Sequence, residues 1–294
     1  MKPPRFVYHA PPDLGTTLEL LAQFNVDAKL LAGGQSLIPM LNMRLVRPGH
    51  LIDLQHVGEL AGIEERDGGL VVGAMTRQRQ VERSALVAQR VPLLAEAIRH
   101  VGHLPIRTRG TIGGSIAHAD PAAELPGVLL ALDGSVRLIS VRGERTVPAQ
   151  DFFVDLLTTA AEPDELLRDV WLPALPAGSG CAWVEIARRH GDYALVGVGA
   201  VVTLAEDGHT VAEARLSLIS VASRPLRAYH TEALLRGAPA TRATWREATQ
   251  LVRRELDPPG DLHASAGYRR QVAGVLTERA LELAAARAQQ GGSR

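Results

Sequence analysis

AGGQSLIPMLNMRL (Ala32–Leu45) and TIGGSIAHADPAAELP (Thr111–Pro126) carry most of what this sequence says about its fold. Each joins a Gly-Gly pair to a hydroxyl residue: Ala32-Gly33-Gly34-Gln35-Ser36 in the first, Thr111-Ile112-Gly113-Gly114-Ser115 in the second. Glycine reaches backbone conformations closed to other residues and lets a ligand come close to the main chain. Successive exposed N–H groups form a concave anion site. A helix capped by Ser36 adds its positive end. Ser36, Thr111 and Ser115 offer further donors. Such a surface suits a pyrophosphate without any lysine or arginine cluster, and a side chain at Gly34 or Gly113 is expected to fill the space its oxygens need. Each motif alone is also an ordinary tight turn. Spacing leaves both readings open and identifies no ligand.

Outward from the first motif, Thr16 to Glu19 fits a capping box, with Leu14, Leu18, Leu21 and Ala22 on one helical face. Ala28 to Ala32 reads as a strand entering the motif, and Leu37 to Arg44 as the helix leaving it. His50 to Leu54 and Leu70 to Ala74 read as strands. Thr76 can cap a helix over Arg77 to Ala85, and Pro92 can open another. Gly102 to Glu124 reads as one long irregular stretch, ordered by Ile106, Ile112, Ile116 and Leu125 and functional in character. A helix near Ala123 to Leu132 follows, then strands near Val136 to Val141 and Glu165 to Leu172.

Composition breaks at Pro173 to Gly180, which reads as a domain linker. Beyond it, Ala182 to Arg188 is strand-like. Leu195 to Leu204 and Thr210 to Ile219 flank Asp207-Gly208, a hairpin signal. Three helices close the chain, over Arg227 to Leu235, Arg242 to Glu255 and Ser265 to Ala286. The tail 289–294 is expected to fray.

The chain has 294 residues, 46% apolar and 22% charged, enough for a core and, as a prior, for about two domains. Thirty-two basic residues balance thirty-two acidic ones, so no net field points to nucleic acid or a membrane surface. The single cysteine, Cys181, permits no intrachain disulfide and supplies too few thiolates for an iron–sulfur cluster. A reducing cytoplasm is the expected compartment. MKPPRFVYHAPPD lacks the apolar run of a secretory signal. The longest apolar stretch, about eleven residues from Leu195, falls short of the roughly eighteen a membrane span needs. Neither motif has the G-x-G-x-x-G spacing, and no P-loop or H-E-x-x-H sequence is present.

Both motifs resemble the FAD-binding medium subunit of molybdenum hydroxylases, the family of the carbon monoxide dehydrogenase medium chain and the xanthine dehydrogenase flavin domain. The similarity extends to RPGHLIDL (Arg47–Leu54), RRHGDYALVGVGA (Arg188–Ala200) and SAGYRRQVAGVLTERAL (Ser265–Leu281). The resemblance implies an α+β fold. Its first part, 1–176, is a two-lobed FAD-binding domain similar to that of vanillyl-alcohol oxidase, with lobes near 1–55 and 56–176. A smaller α+β domain of antiparallel sheet and helices, 177–288, follows. It implies that Lys29, Leu30, Leu31, Ala32, Gly33, Gly34, Gln35 and Ser36, with Thr111, Ile112, Gly113, Gly114 and Ser115, bind the FAD diphosphate. It also implies that Glu124 and Leu167 contact FAD and that Tyr193 lies beside the isoalloxazine ring. Leu195 departs from the lysine of some xanthine dehydrogenases, which weighs against the NAD-linked branch.

The implied chemistry is electron transfer. A large molybdenum-cofactor subunit oxidises substrate, a small [2Fe–2S] subunit relays the electrons, and this chain passes them on, as part of a dimer of heterotrimers. No catalytic acid–base pair and no metal ligand is expected here. Two alternatives are a free-standing FAD oxidoreductase and a non-catalytic dinucleotide-binding module. Taken alone, Tyr193 reads as a half-buried strand-end aromatic, Glu124 as a helix cap, and Lys29 as a solvated strand residue. His100 and His103 have metal-like spacing but no third ligand. His118 and Asp120 read as loop structure.

Overall fold

Residues 2–291 are described by the computed structural model. The chain opens with a small parallel sheet in which His50–Asp53 lies between Val7–His9 and Ala28–Leu31, with Leu31 opposite Asp53. The helix Leu14–Phe24 buries Leu18 and Leu21 in this lobe's core, and Asp13 caps it through a 2.7 Å bond from Thr16 N. The cap is therefore Asp13, not Thr16. An aspartate on extended backbone just before the first turn satisfies the free N–H groups better than a threonine already inside it.

The second lobe is an antiparallel sheet in the order Ile63–Arg66, Gly69–Gly73, Leu166–Pro173, Ser135–Ser140, Gly143–Pro148. Its central strand, Leu166–Pro173, comes from far along the chain, so the lobe closes only when that segment returns. The helix Glu124–Ala131 is buried along its whole length.

The stretch expected to be irregular is folded. It holds two helices, Leu104–Arg109 and Ile112–His118, the second capped by Thr111 and ended by left-handed Ala119. Glycines disfavour a helix by propensity. Here Gly113 is required by a neighbour: a β-carbon on it would stand 2.7 Å from Ala74 Cα. Tertiary contact overrides composition.

Smaller corrections concern boundaries. The first motif's helix stops at Asn42, before left-handed Arg44, and the Ser36 side chain makes no cap bond. The Thr76 hydroxyl bonds Gly62 instead of capping, and the helix after it spans only Gln78–Glu82. Strand structure runs to Pro173 and resumes at Ser179, so the connection is shorter than the linker read from composition.

Beyond that connection, Ser179–Ala187, Ala194–Leu204, Val211–Ile219 and Leu226–Arg227 form a four-stranded antiparallel sheet. The Asp207-Gly208 turn forms as expected. Asp207 Oδ1 accepts from His209 N and Thr210 N, and Gly208 takes φ +69°. Tyr229–Leu235, Arg242–Glu255 and Ala266–Gly291 follow, Arg227 belonging to the last strand and not to a helix. The last helix lies so close to the sheet that a β-carbon on Gly180 would run into the Ala284 carbonyl. Helix continues through Gln289 and Gln290, part of the tail expected to fray; 292–294 lie outside the described residues. Among the described residues, no helix is long and apolar enough to cross a membrane.

Candidate functional site

A cleft of about 920 Å³ lies where the two lobes and the C-terminal sheet meet, and both glycine motifs form part of its wall. They touch. A β-carbon on Gly33 would strike the Arg109 carbonyl and stand 2.8 Å from Gly110 Cα, while one on Gly114 would lie 3.4 Å from Ala32 Cβ. Two segments distant in sequence thus make one surface.

The motifs contribute differently. In the first, Gly34 takes φ +73°, and Gln35 Nε2 donates to Gly33 O at 3.0 Å, fixing the turn. The N–H groups of Gly33, Gly34, Gln35 and Ser36 donate to no protein acceptor among the described residues. In the second, the amides are engaged: Ile112 N with Thr76 O, Gly113 N with Ala74 O, Gly114 N with Thr111 Oγ1 and Ser115 N with Thr111 O. The expectation of freed amides on both sides is corrected to one side. The second motif offers hydroxyls instead. Thr111 Oγ1 accepts from Gly114 N, which leaves its own proton available. Gln78 adds a buried Oε1 without a partner on the same wall. Free amides, an orphaned buried acceptor and a cleft of cofactor size fit a large polar ligand with an anionic centre.

Lys29, Leu30, Leu167 and Glu124 line the cleft, as do Ala32 to Ser36 and Thr111, Gly113, Gly114 and Ser115. Leu31 and Ile112 do not. Leu31 lies beneath Gly34, and the Ile112 side chain is buried in the main core. Glu124 opens its helix at 4% exposure. Burial, then the nearby charges of Glu185 and Asp120, push its carboxyl up to about 8. It therefore keeps its proton at neutral pH.

Tyr193 reaches the cleft from the turn between Ser179–Ala187 and Ala194–Leu204. The residue is 56% exposed, but its hydroxyl end is turned in beside Ser36 and Asp120. Enclosure, then the charges of Asp120 and Glu124, push that hydroxyl up to about 12. Sequence reasoning missed Gln78, and it missed Leu157 to Thr159, from a short hairpin that also lines the cleft. Neither carries a motif. His118, read as loop structure, closes a helix and lines the cleft. His100 Nδ1 lies 3.4 Å from Glu185 Oε1, and no group of three metal-type ligands occurs among the described residues.

The class that this fold and cleft define is the flavoprotein component of an oxidoreductase. The chain matches the FAD binding domain in molybdopterin dehydrogenase over residues 4–175 and the CO dehydrogenase flavoprotein C-terminal domain over residues 182–284. It is 42% identical to the 6-hydroxypseudooxynicotine dehydrogenase complex subunit alpha of Paenarthrobacter nicotinovorans, covering 98% of this chain and 97% of that one. It is 39% identical to the carbon monoxide dehydrogenase medium chain of Hydrogenophaga pseudoflava, covering 98% and 99%. A solved carbon monoxide dehydrogenase from Hydrogenophaga pseudoflava, lacking the Mo-pyranopterin moiety, superposes with a TM-score of 0.94 at 41% identity, over 98% of this chain and 99% of that one. The chain belongs to the family of FAD-binding medium subunits of molybdenum hydroxylases, and FAD is its cofactor. The α+β reading, an FAD-binding domain followed by a domain of antiparallel sheet and helices, is borne out.

Proposed function

We propose that this chain is the electron-transfer subunit of a heterotrimeric molybdenum hydroxylase. It takes electrons from [2Fe–2S] clusters on a small partner, after a large molybdenum-cofactor partner has oxidised the substrate, and hands them to an external acceptor. Two heterotrimers pair, and the assembly is cytoplasmic. The unspent amides of Gly33 to Ser36, beside the hydroxyls of Thr111 and Ser115 in one cleft, carry the reading. They supply donors to a diphosphate without a cation. The lone, buried Cys181 fits a chain whose clusters reside elsewhere.

In this reading 1–176 holds the cofactor and 177–288 closes over it. Lys29, Leu30 and Leu31 shape the strand that delivers the first turn, and Ile112 anchors the second motif to the core. Glu124, protonated at neutral pH, donates a hydrogen bond into the cleft. Leu167 walls the apolar part, and Tyr193 lies beside the flavin ring. Bound FAD supplies reversible one- and two-electron chemistry; the chain orients it and excludes water around it.

The test uses the purified chain loaded with FAD, alone and co-expressed with its partners. Alone it should accept electrons from dithionite and pass them to a dye, yet oxidise neither carbon monoxide, aldehydes nor N-heterocycles. Substrate turnover by the isolated chain would establish a free-standing FAD oxidoreductase. Bound flavin that no reductant reaches would establish a binding module.

A further inference from the structure

The turn that carries Tyr193 is the tip of a long hairpin, and its own hydrogen bonding is sparse. Asp192 N donates to Arg189 O at 3.2 Å, and Arg188 reaches His263 at 3.2 Å. Yet Gly191, Asp192 and Tyr193 stand at a defined place on the cleft. The restraint comes from the other domain. The His103 imidazole lies against Gly191 so closely that any β-carbon there would run into the ring, with Nε2 at 3.0 Å. Gly191 also takes φ +85°, a backbone conformation that favours glycine. The His103 ring lies 6.0 Å from that of His190, tilted 41°.

The backbone that carries His103 is anchored. His103 precedes the helix Leu104–Arg109, which leads directly into Gly110 and Thr111. Buried Arg107 on that helix donates to Val101 O and Gly102 O at 3.0 Å each and pairs with Glu82 at 3.0 Å. The helix that sets the second glycine motif thus also sets the imidazole on which the tyrosine turn rests.

We infer that His103 is a positioning residue: seated on Gly191, it holds the Tyr193 turn of the C-terminal domain over the cofactor cleft. The inference rests on the proposed place of Tyr193 beside the flavin. Without the ring, the turn keeps across the domains only the contact of the Tyr193 hydroxyl itself beside Ser36 and Asp120, and Tyr193 spends less time over the cleft.

The experiment compares flavin emission and midpoint potential in FAD-loaded wild type, Tyr193→Ala, His103→Ala, His103→Phe and the double variant His103→Ala/Tyr193→Ala, each matched for flavin content and melting temperature. Tyr193→Ala should raise emission several-fold, because an adjacent phenol quenches flavin fluorescence. His103→Ala should reproduce much of that rise and move the potential in the same direction. His103→Phe, with a ring to lay on Gly191, should restore wild-type values. The double variant should match Tyr193→Ala alone, since a residue acting through Tyr193 has nothing left to act on. Wild-type emission in His103→Ala, or an additive double variant, would overturn the inference while leaving Tyr193 beside the flavin. An unchanged Tyr193→Ala would overturn both.

Discussion

Glu185, on the first strand of the C-terminal sheet, lies close enough to Glu124 of the FAD-binding domain for its charge to help keep that carboxyl protonated. Trp183 Nε1 donates to Glu185 at 2.8 Å and His100 approaches it at 3.4 Å, so side chains around Glu185 supply it with donors. Both side chains are enclosed at the domain boundary, and burial leaves the proton on Glu124, whose carboxyl has its own backbone N–H as a donor.

That relationship sets a pH dependence. Glu124 titrates near its ordinary 4.5 in the unfolded chain and near about 8 in the folded one. Between these values the folded state holds the extra proton, so stability falls as pH rises through the window and its loss is complete above about 8. Each unit of difference is worth roughly 1.4 kcal/mol, which makes the whole effect a few kcal/mol. Glu124→Gln should flatten the slope, so that its melting temperature gains on wild type between about pH 5 and about pH 9. Apo-protein melting curves for both proteins decide it; parallel pH profiles would sink the assignment.

The first glycine turn can be tested by charge alone. Gly34 sits at φ +73°, which asparagine and aspartate tolerate better than other side chains, and the nearest obstacle is the flexible Ile38 at 3.0 Å. Gly34→Asn should fold and keep part of its FAD. Gly34→Asp, of equal shape, places a negative charge among amides meant for phosphate and should weaken FAD binding at least tenfold further, about 1.4 kcal/mol. Equal FAD dissociation constants for the two variants would remove the diphosphate from this turn.

Gly113, which the sequence offers as an equivalent position, should behave differently. A side chain there meets Ala74 and not the ligand. Gly113→Val should cost about 1–3 kcal/mol of stability or more by overpacking, with flavin loss as a consequence. A variant that melts like wild type yet binds no FAD would show that Gly113 does face the phosphates.

What the sequence revealed and what it hid follow from this contrast. Asp207-Gly208 and Thr241, the cap of Arg242–Glu255, act on their own neighbours, so their elements were legible. The second glycine motif was legible as a site but not as a helix, because the reason for Gly113 lies far back in the chain, at Ala74 just past the strand Gly69–Gly73. Gln78 and the hairpin at Leu157 to Thr159 reach the cleft only through the return of Leu166–Pro173, and nothing local marks them. Tyr193 and Glu124 were visible only by resemblance. Their surroundings, including Asp120 and Glu185, are assembled by the fold.

Tyr193→Phe removes only the hydroxyl. With its pKa near about 12 that group is a neutral donor at any ordinary pH. A donor beside the flavin stabilises the reduced, more negative form. Its loss should leave FAD bound but lower the midpoint potential by tens of millivolts, about 30 mV per 1.4 kcal/mol for a two-electron couple. Spectroelectrochemical titration reads this directly. An unchanged potential would place the hydroxyl out of reach of the ring.

The two domains should share one stability through Trp183. The side chain is 2% exposed and lies over three glycines. A β-carbon on Gly127, in the buried helix of the FAD-binding domain, would stand 2.9 Å from its Cη2, and one on Gly199, in its own sheet, 3.0 Å from Cε3. The glycines make room for an indole that belongs to one domain and fills the surface of the other. Trp183→Ala would leave a cavity on that boundary and deprive Glu185 of its indole donor, at a cost of about 3–5 kcal/mol. Because the loss falls between the domains, calorimetry should show both a lower melting temperature and a broader or split transition. A single transition within about 2 °C of wild type, the shift expected for only about 1 kcal/mol in a chain of this size, would mean that the domains are held together elsewhere, with Arg287 and Glu96, paired at 2.7 Å, the next candidates.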